Sequence, residues 1–161
     1  MSCALTAGYT LGCKDSVGGI KHVHIANQSS ITYDPVVAGA VATVAGTFFK
    51  YELPINTAQF TETITSAEAT GTTFYTTELT IQLPKLTATL RNELKLLAQA
   101  RLAVVATDRN GVQWILGYEN GVNLTSGTGA TGTAMGDLNG LTLTFSTNET
   151  SPIVKLDEVL P

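Results

Sequence analysis

The sequence predicts a mainly β (α+β) fold: a β-barrel or sandwich of antiparallel strands with one amphipathic helix packed on its side. Three observations predict it. Several stretches alternate with a period of two: in "QFTETITS", Phe60, Glu62 and Ile64 share one face while Thr61, Thr63 and Thr65 share the other. Asn110-Gly111 sits between two apolar runs, a tight-turn signal for a hairpin. One segment alone, about residues 87–100, carries leucines at helical spacing.

Along the chain, residues 1–19 read as an irregular N-terminal arm broken by Gly8, Gly12, Gly18 and Gly19. "IKHVHIA" alternates, with Ile20, His22, His24 and Ala26 on one face and Lys21, Val23 and Ile25 on the other. "NQSS" reads as a turn, and "VATVAG" and "TFFKYEL" are β-prone pieces around Gly46. After "QFTETITS" the chain turns near Gly71. "TFYTTELTIQLPKL" follows, with Leu79, Ile81 and Leu83 opposed to Glu78, Thr80 and Gln82.

"LTATLRNELKLLAQAR" is the helix. Pro84 precedes it and Thr87 is its expected N-cap. Leu86, Leu90, Leu94 and Leu97 form its core stripe, and Arg91 and Lys95 are expected to face solvent or a partner. The hairpin "LAVVATD-RNG-VQWILGYE" comes next, with Trp114 read as core. Residues 120–140 read as a glycine-rich loop. "LTLTFSTN" is an alternating strand, and "SPIVKLD" a last short one.

A chain of 161 residues suits one domain, 1–161. Its charged fraction is 14%, below the roughly 25% of ordinary soluble domains, which suits a surface largely covered by neighbours. Net charge is −4, so no broad basic surface exists to neutralise phosphates, which argues against sequence-specific DNA binding. No apolar run is long enough to cross a membrane, and the start lacks the basic and apolar parts of a signal peptide. A cytoplasmic site of synthesis is therefore expected. Charge is segregated: Lys85, Arg91, Lys95, Arg101 and Arg109 cluster around the helix, whereas no basic residue occurs from Tyr51 to Pro84 or from Asn110 to Val154.

Both cysteines and both histidines fall within "CALTAGYTLGCKDSVGGIKHVH". Cys3, Cys13, His22 and His24 offer the donor set of a tetrahedral zinc site, but the cysteines are too far apart for a finger-type pair. A Cys3–Cys13 bridge is a second reading, disfavoured in a reducing compartment. The leading reading is small thiols and two histidines on a partly exposed strand, with no metal and no cofactor. "GTGATG" (Gly127–Gly132) matches a dinucleotide fingerprint in form only, because no helix or phosphate-holding basic residue follows it. The glycosylation patterns at Asn27, Asn123 and Asn148 carry little meaning without a secretion signal. No nucleophile–base constellation is legible, and the chain is not expected to be an enzyme.

The order of elements, a strand-rich chain with one amphipathic helix after a long hairpin and a closing alternating strand, resembles bacteriophage tail tube proteins. Their relatives, the ring proteins of contractile secretion systems, share it. "LGCKDSVGGIKHVHI" and "DRNGVQWILGYENGVNLTSGTGATGTAMGDLNGLTLTFSTNETSP" also resemble virion structural proteins of phages with Bacteroidetes-type hosts. Together the two stretches cover somewhat under half the chain, and none of it is a catalytic signature. The resemblance implies a structural subunit of a phage tail, assembled in the bacterial cytoplasm into stacked hexameric rings around a lumen. DNA would pass through that lumen during ejection without specific binding. Its partners would be further copies of itself and the tail sheath, baseplate and terminator proteins, with no membrane. Glu62, Glu78 and Asp137 become lumen-facing candidates, Arg91 and Lys95 outer-helix candidates, and a long loop would reach the next ring. Another virion ring or decoration protein (a head–tail connector, tail terminator or capsid decoration protein) is the alternative. A carbohydrate-binding β-sandwich module is a more distant one, poorly served by a single tryptophan.

Overall fold

Alternation in the sequence becomes two sheets that share one apolar layer. The computed structural model describes residues 3–161. Its strands are β1 (Ile20–Asn27), β2 (Thr32–Tyr33), β3 (Ala40–Val41), β4 (Val44–Ala45), β5 (Phe49–Glu52), β6 (Gln59–Ala67), β7 (Thr72–Pro84), β8 (Leu102–Asp108), β9 (Gln113–Leu116), β10 (Asn123–Ala130), β11 (Gly140–Glu149) and β12 (Val154–Leu156). The helix, α1 (Ala88–Gln99), lies between β7 and β8.

The larger sheet has the order β3-β12-β9-β8-β1-β5, and the smaller β10-β11-β7-β6. Every pair is antiparallel except β3 with β12, and β2 with β4 forms a separate two-stranded ribbon. Neither sheet closes on itself, so of the two expected architectures the sandwich is the one formed.

The shared layer is built from the inward positions of each strand. Leu79, Ile81 and Leu83 of β7 meet Leu141, Leu143 and Phe145 of β11, and Val23, Ile25, Val104 and Ala106 supply the opposite sheet. The larger sheet is buried on its other face too. There Val105 and Ile115 pack with Val41, Val154 and Leu156 under Tyr33, Val44, Phe48 and Tyr118. Burial on both sides is why "LAVVA" in β8 is a continuous apolar run instead of an alternating one.

α1 begins where expected: Thr87 Oγ1 accepts the amide hydrogen of Leu90 at 3.1 Å. Leu97 is buried, and Leu86, Leu90 and Leu94 are half-buried against the shared core. No helix among the described residues is long and apolar enough to cross a membrane.

Two expectations are corrected. Residues 120–140 are not one loop: Asn123–Ala130 form β10, paired to β11, and the loop is confined to 131–139. Glycines at its inward positions hid the alternation, and pairing with β11 makes the strand. Ile20 does not share a face with His22 and His24. The ladder between β1 and β8 shifts register between Ile20 and His22, and this bulge turns Ile20 into the core beside Val23 and Ile25.

Candidate functional site

The smaller sheet turns one face to the core and the other outward, and the outward face is almost wholly uncharged and polar. Registers across the strands set its rows. Gln59, Thr80, Thr144 and Ser126 stand side by side in one, and Thr61, Glu78, Ser146 and Asn123 in the next. Gln82, Thr142 and Thr128 form a third, and Thr63, Thr76 and Asn148 a fourth, where the Thr76 hydroxyl donates to Asn148 Oδ1 at 2.8 Å. Glu78 is the single charged side chain in these four rows. β-branched threonine is favoured on such a surface because its stiff χ1 fits the pleat while its hydroxyl meets water.

Both edges of this sheet are open. β10 pairs only with β11, and β6 only with β7. At the β10 edge the inward positions are Leu124, Gly127 and Gly129. Having no side chains, the two glycines let the buried Leu143 and Leu141 pack close against the β10 backbone: a Cβ would come within 2.9 Å of Leu143 Cδ2 at Gly127 and within 3.0 Å of Leu141 Cδ2 at Gly129. The result is a groove of about 290 Å³ between α1 and β10, floored by those leucines and walled by Leu94 and Ala98. At the β6 edge the inward positions project instead. Phe60 is half-buried, and Ile64 is 62% exposed although it faces the core side of its sheet. One edge is hollow and apolar, and the other carries apolar side chains.

Glu62, Glu78 and Asp137 are not brought together. Glu62 lies opposite Thr77, a buried residue, so it is on the core side of the sheet; its carboxylate accepts the amide hydrogen of Ile153 at 2.7 Å. Glu78 lies opposite Thr61 on the outward face and is exposed. Asp137 sits in the 131–139 loop, where Oδ2 accepts from the amides of Ala134 (2.8 Å) and Thr133 (3.0 Å). Those two bonds hold its carboxyl below the usual aspartate value. Arg91 and Lys95 are exposed on α1, and the Arg91 guanidinium reaches over β10 near Gly129.

The cysteine–histidine set is likewise dispersed. Cys3 and Cys13 are exposed, unbridged thiols on the arm. His24 is buried and its Nε2–H donates to the Pro161 carbonyl at 2.7 Å, which leaves Nδ1 buried without a partner. His22 stands edge-on to it, ring centroids 5.1 Å apart. Partial burial lowers the His22 pKa, and Lys50, His24 and Lys21 add to the effect while Glu52 opposes it. Among the described residues no three His, Cys, Asp or Glu side chains gather as metal ligands.

No family model, curated protein or solved structure matches this chain. The groove over Gly127 and Gly129 was not legible as a site in the sequence. Its one signal is that Ser126, Thr128 and Ala130 alternate with the two glycines.

Proposed function

We propose that this protein is a non-enzymatic structural subunit of a bacteriophage tail tube, built as rings whose lumen passes DNA. The observation that carries the reading is the four-stranded sheet, polar outside, with one hollow and one projecting edge. The four strands alternate in direction, so β6 and β10 run oppositely. Rotation about an axis roughly along the strands therefore sets β6 of one copy antiparallel to β10 of the next. Phe60 and Ile64 then fill the groove over the glycines, and the threonine rows of successive copies merge into one wall. A closed ring leaves neither edge unpaired, which removes a standing aggregation hazard.

The merged wall suits a conduit. It presents hydroxyls and amides, with Glu78 as its only charge in the rows described, so the sugar–phosphate backbone finds no cation to hold it. The hairpin tip supports stacking. Thr72, Thr73 and Phe74 pair only with β6, so they stand beyond the end of β11 and would reach an adjacent ring. Six-fold order, a surrounding sheath and residence in the virion come from the family resemblance and form part of the proposal.

Electron microscopy of the purified protein is the test. Hollow tubes of uniform width are expected. A homogeneous single-copy species at high concentration would refute the reading, and unstacked rings would move it to another ring component of the virion.

A further inference from the structure

The N-terminal arm has the residue alternation of a strand but joins no sheet. Cys3, Leu5, Ala7, Tyr9, Leu11 and Cys13 alternate with small or polar residues, and no charge occurs between the two cysteines. This is the period of a half-buried strand. Yet the arm belongs to no ladder, and Leu5, Tyr9 and Leu11 are 97%, 88% and 86% exposed. Three apolar side chains at strand spacing, all in water, are the pattern of a segment that buries them elsewhere.

An edge of matching pattern exists in the larger sheet. β5 pairs with β1 alone. Phe49 and Tyr51 point to the α1 side, and Lys50 and Glu52 to the other. Beside β5 runs a groove of about 250 Å³, lined by Phe49, Tyr51, Leu96 and Leu97 among others. Phe49 and Leu96 on its rim are 67% and 54% exposed. This groove is distinct from the one beside β10.

The root of the arm is held beside the β8–β9 turn. Val17 N–H donates to Asn110 Oδ1 at 3.0 Å, and Asn110 Nδ2 donates back to the Val17 carbonyl at 2.9 Å. Asn110 lies in the turn between β8 and β9, and those strands are on the far side of β1 from β5. The twelve residue steps from Val17 to Leu5 span up to about 40 Å when extended, enough to reach another molecule.

We propose that the arm of one copy adds as an edge strand to β5 of a second copy. Leu5, Tyr9 and Leu11 enter the groove beside Phe49, Tyr51 and Leu96, and Thr6, Gly8 and Thr10 lie on the side of Lys50 and Glu52. Main-chain hydrogen bonds give the addition its strength, and the alternation sets which face is buried. This contact needs only a second copy and does not depend on a tube.

The test is disulfide mapping in full-length chains carrying Cys3→Ser and Cys13→Ser. A chain with Phe49→Cys is mixed with chains bearing Leu5→Cys, Thr6→Cys, Ala7→Cys, Gly8→Cys, Tyr9→Cys, Thr10→Cys or Leu11→Cys, one at a time, and oxidised. All these positions are exposed, so folding is retained. Covalent heterodimers are expected with a two-residue periodicity, the odd-numbered positions linking several-fold more than the even. Linking without periodicity overturns the proposal. So does linking only when both cysteines are in one chain, and so does no linking. Tubes under the microscope without cross-links would remove the arm contact and leave the tube, and cross-links without tubes would do the reverse.

Discussion

The Glu62 carboxylate accepts the amide hydrogen of Ile153 at 2.7 Å and so ties the β6 edge to the segment entering β12. Glu78, one strand over, touches none of this and lies on the opposite face. Two glutamates that look equivalent in the sequence therefore have different work. Glu62→Ala is expected to cost about 1–3 kcal/mol, because it strands a partly buried amide. Glu78→Lys should stay within about 0.5 kcal/mol. Urea unfolding of both variants checks the contrast. On the tube reading, Glu78→Lys instead lowers infectivity at normal particle number, since it puts a cation on the conduit wall.

Along α1, neighbouring leucines are expected to differ sharply. Leu97 is 7% exposed and belongs to the shared core, whereas Leu96 faces the rim of the β5 groove. Leu97→Ala should destabilise by about 2–5 kcal/mol. Leu96→Ala should cost under about 1 kcal/mol in the isolated chain. Equal losses in chemical denaturation would mean that the helix is rotated from the placement described.

Gly129→Val separates folding from assembly. Its new side chain meets the tip of the buried Leu141, which must give way by a few tenths of an ångström, so a cost of about 1–3 kcal/mol is expected and the far-UV spectrum should be retained. The same side chain fills the groove that Phe60 and Ile64 of a neighbour would enter. Hollow tubes should be lost under the electron microscope; tubes persisting in this variant would rule out the β6–β10 joint.

His22 makes stability depend on pH. Its folded pKa is depressed, so its contribution is complete above the unfolded value of about 6.5 and is lost as pH falls through the lower folded value. His22→Gln removes that dependence. The melting temperature of the parent relative to this variant should fall as pH drops from 7 to 5, and a parallel pair of curves would show that the ring is not desolvated.

Much of the fold was legible because its signals are local. Period-two alternation in β6, β7 and β11 and the leucine spacing of α1 are written within a few residues, and so are Thr87 as cap and Asn110-Gly111 as turn. The side chains that alternate are the ones that touch. β10 escaped because its inward positions are glycines, which show no hydrophobic period, and only pairing with β11 makes that segment a strand. Ile20 was assigned to the wrong face because a bulge changes the parity of a strand without marking the sequence. The arm reads as irregular because Gly8, Gly12, Gly18 and Gly19 break it, and its alternation stands out only once Leu5, Tyr9 and Leu11 prove exposed.

By itself, then, the sequence determined the mainly β class with its single helix, which residues of β7 and β11 face inward, and the scarcity of charge. Tertiary structure alone decided that the sheets stay open, that Glu62 and Glu78 part company, and that Gly127 and Gly129 line a groove against α1. Those outcomes depend on register and strand order, which arise from contacts between residues far apart in the chain and leave no trace in any short window of it.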